Sequence, residues 1–193
     1  MPAAVLVAGA VSYALKAAAL LTTADLARPT PCADWDVEEL LRHLGDSMAA
    51  FDEALSTGTL SMCPRHGQAD EMADAVELLR DRAAELLCTL FISDIPVIEV
   101  NGLPMPGRIA LATGAMEIAV HGWDIYVASG HGRALPGELA RPLIRLLPAL
   151  VPDRRGLFAS PVATPPNASA GDRVVAYLGR DPGAYRDGYS RVA

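Results

Sequence analysis

Aromatic residues make up only 5% of the 193 residues, so the hydrophobic 51% has to be supplied mainly by Ala, Leu and Val. Ala and Leu are strong helix formers, whereas aromatic and β-branched residues lead in strands, so the balance favours helices. Cysteine is also sparse: Cys32, Cys63 and Cys88 are odd in number and form no CxxC pair. That argues against a disulfide framework and against a cysteine zinc knuckle. Basic charge is in deficit, with 16 Lys+Arg against 23 Asp+Glu and a net charge of -7. No basic run is long enough to neutralise a phosphate backbone, which excludes nucleic acid as the expected partner. A complete membrane span is missing as well. Met1 to Leu15 is apolar, but no basic stretch precedes it and Lys16 interrupts it, so it reads as a buried first helix of a cytoplasmic protein rather than a signal peptide or anchor.

What is present reads as one mostly α-helical domain with enough chain for a real core. An Ala/Leu/Val-rich stretch from Ala3 to Ala27 predicts a long first helix that stops before Pro29 and Pro31. Asp36 as N-cap, Glu39 as its capping-box partner, and Trp35 with Leu40 as a hydrophobic staple predict a second helix from Val37 to about Ser56. Its apolar stripe is Leu40, Leu44, Met48, Phe51 and Leu55. Met72, Val76, Leu79, Ala83, Leu86 and Leu90 mark a third helix. Asn101-Gly102 between β-leaning runs predicts a hairpin packed on the helices. A fourth helix spans about Arg108 to Ser129 and ends at Gly130, and a fifth runs from Gly137 to Leu150 after Pro136. The bundle therefore occupies about residues 3–150. Beyond Val151 the Pro- and Gly-rich chain predicts an extended strap, followed by a short helix from Ala170 to Leu178.

The fourth helix carries the chemistry. Glu117 and His121 are four residues apart, so they project side by side from one face of an otherwise apolar segment. Burying a carboxylate and an imidazole there is costly unless they pair or bind a cation, and both are ordinary ligands for zinc and related ions. Of the other histidines, His66 falls in a Pro/Gly-flanked loop and His131 follows a helix-ending glycine, so both are expected at the surface. His43, beside the Leu40/Leu44 stripe, is expected to face inward as the third ligand. Spacing alone equally allows a plain Glu117–His121 ion pair and a core histidine at 43. Asp124 is placed either to orient a ligand imidazole or as a surface carboxylate. Trp35 and Trp123 read as core or pocket wall, Arg42 as a solvated cation or an anion contact, and Cys32 as a small buried residue rather than a nucleophile.

Thr30-Pro31-Cys32-Ala33-Asp34-Trp35-Asp36-Val37, then Leu41-Arg42-His43-Leu44, and Glu117 to Asp124 resemble the signature blocks of the DinB-like, mycothiol-dependent maleylpyruvate isomerase family. Gly156-Leu157-Phe158 and Ala176-Tyr177-Leu178-Gly179-Arg180-Asp181-Pro182 are similar to its short actinobacterial members, so the likeness covers nearly the whole chain. It implies a DinB-like four-helix bundle with His43, Glu117 and His121 binding one divalent metal ion, zinc or alternatively nickel. It also implies mycothiol or a related low-molecular-weight thiol as cosubstrate and a small organic substrate, in isomerase or S-transferase chemistry. The namesake isomerase has an additional C-terminal domain, for which this chain is expected to be too short, so the isomerase reaction itself is not carried over. A non-catalytic metal-binding or small-molecule-binding module and a metal-dependent hydrolase are the alternatives. Long apolar helices leave room for a homodimer.

Overall fold

The computed structural model of the chain describes residues 1–32, 35–61, 74–151 and 158–183. Four helices form the bundle: α1 (Ala3–Ala18), α2 (Val37–Thr57), α3 (Ala75–Ile92) and α4 (Gly107–Ala128). α1 lies along α4, α2 lies between α3 and α4, and α1 also meets α3, which closes the ring around the core. α5 (Gly137–Leu150) packs on α4, and α6 (Ala170–Tyr177) packs on α5. The architecture is the mostly α bundle with a small hairpin and a C-terminal extension that the sequence predicts.

α2 begins as its sequence requires. The Asp36 carboxylate accepts from the Glu39 N–H at 2.9 Å while the Glu39 carboxylate accepts from the Asp36 N–H at 3.0 Å. Gly58 ends the helix at φ 80°, a left-handed conformation that glycine adopts without strain. Leu40, Leu44, Met48, Phe51 and Leu55 are all buried. α3 starts at Asp74, whose carboxylate accepts from the N–H groups of Val76 and Glu77. Leu79, Ala83, Leu86 and Leu90 are buried as their spacing predicts, whereas Met72 and His66 lie outside the described residues.

Two differences from the sequence expectation exceed a one-residue shift of a helix end: the end of α1 and an additional strand. α1 stops at Ala18 instead of Ala27, because Thr22 opens a separate 3-10 turn over Thr23–Asp25. The Thr22 N–H and hydroxyl both bond Asp25 Oδ2, at 2.9 and 2.7 Å. Such local side-chain bonds compete with continued helix, which helix propensity alone does not register. The predicted hairpin is present as β2 (Val97–Val100) and β3 (Leu103–Pro106), with Asn101 and Gly102 at φ 51° and 77° as a primed turn requires. A third strand, β1 (Thr59–Leu60), pairs in parallel with β2 in the register Thr59 with Glu99 and Leu60 with Val100. Two residues are too few to leave a periodic signal. α6 ends at Tyr177, one residue early.

α4 is the central element. Every residue from Gly114 to Ser129 is buried except Glu117, because this helix is covered by α1, α2 and α5. Its close approach to α1 depends on Gly122, where a Cβ would lie 3.0 Å from Ala14 Cα. His121 and Asp124 stand beside that contact.

Candidate metal centre

His43 enters from the middle of α2, and Glu117 and His121 enter one turn apart from α4. The two helices are neighbours, so His43 and Glu117, 74 residues apart in sequence, meet with His121 at one point. His43 Nε2 is 2.9 Å from Glu117 Oε1, and His121 Nε2 is 3.1 Å from the same oxygen. One ligand atom from each lies within 4.8 Å of the others, and among the described residues this is the group of metal-ligating side chains that forms. Side-chain exposure runs from 33% at His43 and 28% at Glu117 to 8% at His121. The cluster therefore has an open side at His43 and Glu117 and a closed side at His121.

Trp35 forms the wall on the His43 side. Its ring centroid is 4.3 Å from that of His43 and 6.0 Å from that of His121. The loop that carries it is tied down by Thr30, which is buried. Thr30 Oγ1 lies 2.9 Å from the Trp35 carbonyl and accepts from the Cys32 N–H at 3.1 Å. Trp35 also donates its backbone N–H to the Cys32 carbonyl at 3.0 Å. These bonds fix the Trp35 backbone, and its indole packs against the His43 ring.

Behind His121 lies a fully buried carboxylate. Asp124 Oδ2 is 3.0 Å from His121 Nδ1, and Arg180 reaches Asp124 through Nε to Oδ1 at 3.2 Å and Nη2 to Oδ2 at 2.8 Å. Asp124 is thus not a surface carboxylate, which corrects one of the two sequence readings for it: the α4 face it occupies is covered by the C-terminal segment. Burial opposes its charge, but Arg180 and His121 outweigh that and hold its pKa below the usual carboxylate range.

An ionised Asp124 only accepts, so His121 Nδ1 carries a proton. A neutral His121 would then turn the lone pair of Nε2 toward an acceptor oxygen of Glu117 only 3.1 Å away. A cation between the two, or a second proton on the ring, removes that conflict. Burial opposes the imidazolium, yet Glu117 and Asp124 overcome it and raise the His121 pKa to about 9. Burial likewise opposes charge on Glu117, while the two imidazoles hold it far below its ordinary range. The site is an anionic carboxylate oxygen flanked by two imidazole nitrogens. The donor set fits a divalent metal ion: ligands around a tetrahedral zinc at about 2.0–2.2 Å sit roughly 3.4 Å apart, a few tenths of an ångström wider than found here.

The remaining singled-out residues do not belong to the His43, Glu117 and His121 cluster. His131 is exposed, with Nδ1 3.1 Å from the Ser129 carbonyl. Arg42 pairs with Glu38 at 2.9 Å one turn back on α2. Trp123 belongs to the core. Cys32 is half-buried, Cys88 is exposed, and Cys63 lies outside the described residues. Arg180 enters the sequence reading only within the block Ala176 to Pro182, without a role, because no periodicity links residue 180 to residue 124.

Over 162 residues the chain is 27% identical to uncharacterized proteins of Mycobacterium tuberculosis strains CDC 1551 and H37Rv, a stretch covering 80% of this chain and 85% of each relative. No solved structure matches it significantly. The profile of the mycothiol maleylpyruvate isomerase N-terminal domain matches residues 7–126, which takes in His43, Glu117, His121 and Asp124 but not Arg180. The chain belongs to that family, the mycothiol maleylpyruvate isomerase N-terminal domain.

Proposed function

We propose that the protein is a metal-dependent, thiol-linked enzyme, of mycothiol-dependent isomerase or S-transferase type, acting on a small organic substrate. The observation that carries this is the convergence of His43 Nε2 and His121 Nε2 on Glu117 Oε1, with one side of the cluster open. His43, Glu117 and His121 would hold the ion, and two nitrogens with one carboxylate suit zinc, with nickel the alternative. A bound divalent ion supplies the positive charge that lowers the pKa of a thiol or water at an open position.

The chain's own residues do the rest. Asp124 keeps the Nδ1 proton of His121 in place, so that Nε2 faces the cluster. Trp35 packs against the His43 ring, and the approach lies on the side where His43 and Glu117 are part-exposed. Thiol chemistry suits the site better than hydrolysis. A carboxylate free to take a proton from water would favour a hydrolase. Here Glu117 faces both imidazoles, and Asp124 is engaged by Arg180 and His121.

Elemental analysis of the purified protein tests the first step. One metal ion per chain is expected in the parent and none in His43→Ala, Glu117→Ala or His121→Ala. Metal-loaded protein is then mixed with mycothiol and a panel of small electrophiles, and thiol-dependent turnover is expected. Full turnover without thiol would replace this reading by a hydrolase. Bound metal with neither turnover nor thiol binding would leave a non-catalytic metal module.

A further inference from the structure

The segment after α5 lies beyond the matched family domain, yet one of its side chains reaches the back of the metal-binding cluster. Arg180 is 56 residues from Asp124 in sequence, and its side chain is 10% exposed. Three of its nitrogens are engaged: Nε and Nη2 on the two Asp124 oxygens, and Nη1 on the Leu178 carbonyl at 3.1 Å. A guanidinium held on three points and nearly closed to solvent is placed to fix a neighbour rather than to meet a substrate.

The local sequence directs it there. Ser169 caps α6 by accepting from the Asp172 N–H, and Val174, Val175 and Leu178 bury the inner side of the helix. After Leu178 the chain closes a Schellman motif. The Gly179 N–H bonds the Ala176 carbonyl at 3.0 Å, and the Arg180 N–H bonds the Val175 carbonyl at 3.0 Å. Gly179 sits at φ 85°, and a Cβ there would come within 2.8 Å of Ala159. This turn sets the direction in which the Arg180 side chain leaves the backbone.

We infer that Arg180 is a positioning residue of the metal-binding cluster: it clamps both oxygens of Asp124, and Asp124 in turn holds the His121 ring with Nε2 facing Glu117 and His43. The inference rests on the metal-binding reading for its effect on ion affinity, but the coupling of Arg180 to His121 stands on the contacts alone. Lysine would keep the charge without spanning both oxygens, and glutamine would lose the charge as well.

The test uses full-length protein as parent, Arg180→Lys and Arg180→Gln. Zinc is titrated calorimetrically into each metal-free sample, and the His121 Nδ1 proton is followed by NMR without metal. Zinc affinity is expected to fall about 10–100-fold in Arg180→Gln and less in Arg180→Lys. The Nδ1 proton signal, sharp and slow to exchange in the parent, is expected to broaden in both. If Arg180→Gln does not fold, Arg180→Lys carries the comparison. Folded variants with parental zinc affinity and an unchanged Nδ1 signal would overturn the inference. A parent that binds no zinc removes the metal reading instead. The proton signal then decides the coupling: broadening upholds it, and an unchanged signal overturns it.

Discussion

At the scale of single residues, the neighbours of Glu117 and Asp25 set the charge of each. Glu117 is the one residue between Gly114 and Ser129 that is not buried, and its carboxylate lies between two imidazoles. Asp25 shows the same logic in a simpler setting. Backbone and hydroxyl bonds from Thr22, together with Arg28, lower its pKa from 3.8 to about 2. A depressed folded pKa contributes stability that is fully present above the unfolded value and is lost as pH falls through the folded one. Asp25→Asn is therefore expected to cost roughly 0.5–1 kcal/mol at pH 6, a modest figure because the group is near water. Urea unfolding should show that gap closing between pH 4 and pH 2; a gap that stays constant with pH would contradict the assignment.

At the scale of elements, caps and glycines decide where helices start and how closely they pack. Asp36→Ala removes the acceptor for the Glu39 N–H at the head of α2 and is expected to lower stability by about 1 kcal/mol. Gly122→Ala sets two effects against each other. Alanine favours helix over glycine by about 1 kcal/mol, whereas overpacking a core costs about 1–3 kcal/mol. The added methyl would meet Ala14 Cα at 3.0 Å and Tyr13 Cδ1 at 3.1 Å, and a backbone atom inside a helix yields poorly. Overpacking wins, so the urea midpoint should fall; an unchanged or raised midpoint would mean that α1 can slide away. The starts of α2 and α5 and the Asn101-Gly102 turn were legible in the sequence, because each is set by residues within a few positions. The early end of α1 was not, because the Thr22–Asp25 turn competes with a segment of good helix propensity.

At the scale of the whole molecule, the candidate metal cluster and its partner Asp124 join α2, α4 and the segment after α6, so an ion there would link the bundle's core to its C-terminal extension. A ligand that binds only the folded chain stabilises it by mass action, by about 2.7 kcal/mol at a concentration 100 times its Kd. Added zinc should therefore raise the thermal midpoint of the parent in a concentration-dependent way, and a chelator should reverse the rise. His43→Ala should show no such response. A parent whose midpoint ignores zinc would count against the metal site. Among the described residues no helix is long and apolar enough to cross a membrane.

The sequence by itself determined the helical class, the capped start of α2, the hairpin turn and the pairing of Glu117 with His121, because all of these act over one or two turns of chain. It also singled out His43, through a position beside an apolar stripe and a resemblance to a family. Only the tertiary structure brought His43 to Glu117 across 74 residues and Arg180 to Asp124 across 56. Packing of α1, α2 and α4 and the turn at Gly179 set those distances, and neither leaves a periodic trace in the chain. Burial made the same decision for Asp124: a residue that spacing leaves undecided is the fully enclosed link between Arg180 and His121.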